Sequence, residues 1–128
     1  MAYTIDRMIS GASLDSVQTR VREALANNGF GVLTEIDVAA TRRNKLGVEL
    51  SGYLILGACN PQMAYKAIEV EPQVGAMLPC NVIVRETEHG VQVSAVDPVA
   101  SMQAIDNTEL QSLAHQVRDL LGKAIEQV

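Results

Sequence analysis

Most of the reactive chemistry in this 128-residue chain sits in two short segments, Cys59-Asn60-Pro61 and Cys80-Asn81. A thiolate is both a nucleophile and a ligand for soft metals, and a helix N-terminus favours it. Asn60 is a good helix N-cap and Pro61 suits the first helical position, so Cys59 lies just before a helix start. Cys80 follows Pro79, where a strand begins or bulges, and Pro79 suggests an edge position for that strand. The cysteines stand twenty-one residues apart with a helix between them. Such a crossover could bring them together at one end of a sheet. A close pair could cycle between dithiol and disulfide, carry sulfur, or hold a soft ion such as Cu(I). The plainer reading treats both as small buried hydrophobes: there is no C-x-x-C, and two thiols alone do not make a zinc site.

The other polar candidates are weaker. Free N–H groups at the Asn60-Pro61 helix start could hold an anion or a small polar ligand. Equally, Asn60 could be only a cap and Asn81 could satisfy only local backbone. Arg85 follows in the same strand as Asn81, and in a dimer it could pair across the interface. Glu35 and Asp37 are two apart on a strand and so share a face, which suits acid–base work but equally a solvated surface. His89 falls in a turn and His115 on the polar side of a helix, neither with a partner at ligand spacing. The chain has no Ser-His-Asp signature, phosphate loop or dinucleotide glycine pattern. No catalytic set, metal site or cofactor is implied, and whether the chain is an enzyme stays open.

The elements that would position these residues follow from periodicity. Tyr3 to Ile9 reads as a strand. Ser13 caps a helix from Leu14 to about Asn28, with Leu14, Val17, Val21, Ala24 and Leu25 in one stripe and Gly29 as its stop. Phe30 to Val38 alternates with period two, a half-buried strand. Asp37 can then cap a short basic helix, Ala39 to Leu46, closed by Gly47. Tyr53 to Gly57 is a continuous apolar run that suits a central strand. A helix follows from Pro61 to about Ile68, with Pro72 and Gly75 punctuating its exit. Asn81 to Glu86 and Val91 to Ala95 form a hairpin around Glu88-His89-Gly90. Asp97-Pro98 stops it, and a loose stretch from Val99 to Ile105 leads to a last long amphipathic helix capped by Asp106 or Asn107. The order, β-α-β-(short α)-β-α-β-β-α, is not a doubly wound parallel pattern. It predicts a single α+β domain over 1–128, a mainly antiparallel sheet with helices on one face.

Composition excludes several partners. Net charge is −5 and aromatics are only 3%, so phosphate backbones are repelled and stacking platforms are few. The short basic cluster Arg42, Arg43 and Lys45 is largely offset by Glu35, Asp37 and Glu49. Nucleic acid is not an expected partner. No segment reaches the roughly 18 apolar residues of a membrane span, and the start, MAYTIDRMIS, lacks the pattern of a signal peptide. The expectation is a soluble protein of the reducing cytoplasm, where Cys59 and Cys80 remain thiols.

Taken together, Gly29-Phe-Gly-Val-Leu-Thr-Glu-Ile-Asp37, Leu56-Gly-Ala-Cys-Asn-Pro61 and Leu78-Pro-Cys-Asn-Val-Ile-Val-Arg85, with Asp97-Pro98 beyond, carry a resemblance over nearly the whole chain. The sequence resembles domain of unknown function family 302, a bacterial and archaeal family. The resemblance implies a β-α-β4-α arrangement similar to that of the TATA-binding protein, and a homodimer, but no activity. Likeness of fold to a DNA-binding protein carries no functional weight. Two readings of function follow. The first is a non-enzymatic dimeric module binding a small ligand or partner where Cys59-Asn60 and Cys80-Asn81 converge. The alternative is a thiol protein using Cys59 and Cys80 for redox, sulfur transfer or soft-metal handling.

Overall fold

The computed structural model describes residues 2–40 and 51–128. Among these residues the elements with full bounds are β1 (Thr4–Ile9), α1 (Leu14–Asn27), β2 (Gly31–Asp37), β3 (Tyr53–Cys59), α2 (Pro61–Val70), a 3-10 turn (Pro72–Met77), β4 (Cys80–Thr87), β5 (Gly90–Val96), α3 (Pro98–Ser101) and α4 (Thr108–Glu126). The helix expected from Ala39 to Leu46 and the basic cluster fall largely or wholly outside the described residues. At its start, Asp37 Oδ1 accepts from the Ala40 N–H at 2.9 Å, the capping role expected of it.

All the strand pairings are antiparallel, and the strand order is β1-β5-β4-β3-β2. Strands β2 to β5 form a meander, and β1 adds to its far edge after α1 has crossed the sheet. This is the predicted α+β class and β-α-β4-α order. One detail differs from the sequence reading. Pro79 does not mark an edge: β4 is the central strand, paired with β3 and β5. Pro79 sits just before the first paired residue, where its missing N–H costs no ladder bond.

The period-two pattern separates the two faces. Leu54, Leu56 and Ala58 of β3, Val82 and Val84 of β4, and Val91, Val93 and Ala95 of β5 are buried against α1 and α4. Val17, Val21, Ala24 and Leu25 of α1 and Leu121, Ala124 and Ile125 of α4 fill the other half of this core. A second, smaller cluster gathers Ala67, Val74, Met102, Leu110 and Ala114 where α2 and the 3-10 turn meet the start of α4. The opposite face of the sheet has no helix over it among the described residues.

Short-range capping fixes the helix starts. Ser13 accepts from Ser16 N–H, Asn60 from Met63 N–H and Asn107 from Leu110 N–H. Asp97 does more than stop a strand. Its carboxylate accepts from the Val99 and Ala100 N–H groups, beginning a short helix in the stretch read as loose, and it pairs with Arg118 at 3.1 Å. Arg7, on the helix side of β1, donates to the main-chain oxygens of Ile125, Glu126 and Val128. A cation there complements the negative end of α4 and ties that helix to an edge strand.

Candidate functional site

The six candidate residues divide between two places. Cys59, Asn60 and Cys80 line an apolar cavity on the helix side, together with Phe30, Met63, Met102 and Val117. Asn81 and Arg85 lie on the uncovered face of the sheet and line a groove there. Pro61 is the first residue of α2 and is exposed. Alternation explains the division, because Cys80 and Asn81 are neighbours in β4 and their side chains leave opposite sides of the sheet.

The cavity measures about 30 Å³. That is room for one or two water-sized particles, against roughly 300–1,000 Å³ for metabolite sites. Asn60 is occupied as the cap of α2. Cys80 is only 6% exposed. Burial, and to a lesser degree the neighbouring Cys59, push its thiol up from 9.0 to about 11. A thiol held protonated in this way is a poor nucleophile at neutral pH. No cluster of three or more His, Cys, Asp or Glu side chains able to hold a metal exists among the described residues.

The groove on the open face is far larger, about 460 Å³. Its floor is set by strand register. Asp6 of β1 lies opposite Ser94 of β5, and Ser94 opposite Ile83 of β4. One step along, Arg85 is flanked by Gln92 on β5 and Tyr53 on β3. Tyr3, Thr4, Asn81 and Val96 complete the lining. Arg85 Nε donates to Gln92 Oε1 at 2.9 Å, and Thr4 Oγ1 donates to Asp6 Oδ2 at 3.2 Å. Among the described residues neither charge is paired with an opposite charge; the pairs there are Arg22–Glu35 and Arg118–Asp97. The surface is therefore a shallow mixed floor with one guanidinium, one carboxylate, neutral hydrogen-bonding groups and two tyrosines.

Tyr3, Asp6, Tyr53, Gln92 and Ser94 were not picked out by the sequence. A signal existed in the polar phase of the hairpin: Val91, Val93 and Ala95 point inward, so Gln92 and Ser94 share the face of Asn81 and Arg85. The remaining sequence candidates have local uses. Glu35 pairs with Arg22 at 3.2 Å and Asp37 caps. His89 and His115 are both exposed.

Comparison with known proteins places the chain. A model of the family described as "Domain of unknown function DUF302" matches residues 7–128. The crystal structure of an uncharacterized conserved DUF302 protein from Bacillus stearothermophilus superposes with a TM-score of 0.92 at 23% identity, covering 99% of this chain and 98% of the other. No curated protein matches the chain. The chain belongs to the DUF302 family, and the likeness to the solved structure extends to the fold.

Proposed function

Starting from membership of a family without an assigned activity, we propose that this chain is a non-enzymatic, homodimeric binding module of the cytoplasm. Its site is the groove on the open face of the sheet, built around Asn81 and Arg85. The ligand is a small polar molecule carrying an anionic group. One observation carries the reading: the groove gathers neutral hydrogen-bonding groups around a guanidinium that no carboxylate neutralises among the described residues. Nε and Nη2 of Arg85 both donate to Gln92 Oε1, which fixes the guanidinium and leaves its Nη1–Nη2 edge to meet a carboxylate or phosphate. The cysteines have a structural part in this reading. Cys80 belongs to the larger apolar cluster, Cys59 lines the small cavity beside it, and both stay reduced in the cytoplasm. No helix among the described residues is long and apolar enough to cross a membrane.

The thiol alternative gains nothing from the geometry, since Cys80 is buried and held protonated. The test of the preferred reading is a thermal-shift screen of small carboxylates, phosphates and amino compounds, repeated with Arg85→Ala. Stabilisation that depends on Arg85 supports it, because a ligand that binds only the folded state raises the melting temperature. A flat screen at millimolar concentrations would count against it. Sedimentation equilibrium tests the dimer separately.

A further inference from the structure

We propose that the groove takes a zwitterion, a small molecule bearing both a carboxylate and an ammonium group, as a free amino acid does. The inference rests on the reading of the groove as a small-molecule site and adds the class of ligand. The groove is lined by two charged side chains, Asp6 and Arg85, one of each sign. They lie on β1 and β4, with β5 between, and Asp6 is level with Ile83, two residues from Arg85. Two strand spacings across and two residues along put their Cα atoms about 12 Å apart.

Each head is held by a neutral neighbour, Gln92 for Arg85 and Thr4 for Asp6. Ser94, only 5% exposed, lies beside Asp6 on the central floor. The charges are thus oriented but separated, with hydrogen-bonding groups between. A purely anionic ligand would satisfy Arg85 while lying near Asp6, and covering an uncompensated carboxylate is costly. A purely cationic ligand has the converse fault at Arg85. A ligand with both charges satisfies both ends and leaves no net charge in the groove.

The probes are glycine, β-alanine and γ-aminobutyrate, which vary the spacing of the two charges, with acetate and ethylamine as single-charge controls. Titration calorimetry at constant ionic strength is run on the whole chain and on Asp6→Asn and Arg85→Gln. Circular dichroism checks that both variants fold. The expected result is binding of at least one zwitterion, at least tenfold tighter than either control and at least tenfold weakened in each variant. Acetate binding as tightly as the zwitterions, and surviving Asp6→Asn, overturns the zwitterion and leaves the anion site standing. No binding by any probe, after a flat metabolite screen, overturns both readings. Sedimentation supplies a third arm. If Asp6→Arg splits a dimer and the double variant Asp6→Arg/Arg85→Asp restores it, the face belongs to a second copy and the ligand proposal fails. Under the proposal, none of these changes alters the oligomeric state.

Discussion

Cys80 offers the sharpest test of how this fold treats its thiols. Its thiol is pushed from 9.0 to about 11, first by burial and then by Cys59. Burial penalises the thiolate, so the folded state keeps the proton where the unfolded chain releases it. Below pH 9 both states are protonated and Cys80 adds no pH dependence. Between pH 9 and 11 the unfolded chain binds fewer protons, so stability falls as pH rises. At 1.36 kcal/mol per pH unit, the two-unit shift is worth about 3 kcal/mol in the limit above both midpoints. Urea unfolding at pH 8, 9, 10 and 11 measures this, with Cys80→Ala as the control that retains every other titrating group. The wild type should lose about 2 kcal/mol more than Cys80→Ala across that range, because at pH 11 the folded thiol is only half ionised. Reactivity gives an independent reading. Two units of pKa lower the thiolate fraction at pH 7 about a hundredfold, so native Cys80 should alkylate at least that much more slowly than in urea. Cys59→Ala removes the smaller cause and should lower the Cys80 midpoint while leaving it above 9.0. Parallel loss of stability in wild type and Cys80→Ala, or native alkylation as fast as in the denatured chain, would refute the reasoning and bring the thiol function back.

Two further outcomes concern the frame that holds the sheet. Arg7→Ala removes a cation from three main-chain oxygens at the end of α4 and should cost about 1–3 kcal/mol in urea unfolding, with Arg7→Lys recovering part of it. Asp97→Ala removes the cap of α3 and leaves Arg118 without its carboxylate, so a loss of about 1–2 kcal/mol is expected by thermal or urea denaturation.

How much of this was legible in the sequence depended on how local each rule is. The caps at Ser13, Asn60 and Asn107 act on N–H groups three residues ahead, so the residue type and its spacing suffice to read them. The inward phase of β5 was legible for the same reason, since alternation is a property of the segment alone, whereas the continuous apolar run of β3 carries no phase. Position within the sheet was not. Pro79 looked like an edge marker, yet β4 became the centre because β3 and β5 both pair with residues after the proline. Asp97-Pro98 was read as a stop when a cap followed by proline also starts a helix, as it does at Asn60-Pro61.

The site shows where local rules end. Cys80-Asn81 looked like one constellation because the two residues adjoin, but adjacency in a strand sends side chains to opposite faces. Applied to the doublet itself, that rule separates Asn81 and Arg85 from Cys80 on sequence alone. Nothing local could have placed Asp6 near Arg85. Their proximity requires β1 to pair with the last strand after α1 has crossed the sheet, a pairing across more than eighty residues of sequence. A binding face made from the first strand and the closing hairpin is therefore a product of topology, assembled only when β1 docks on β5. Destabilising that edge pairing should disturb the groove through Asp6 and Thr4 and the end of α4 through Arg7 and Ile9, while the central β3-β4 pair is independent of it.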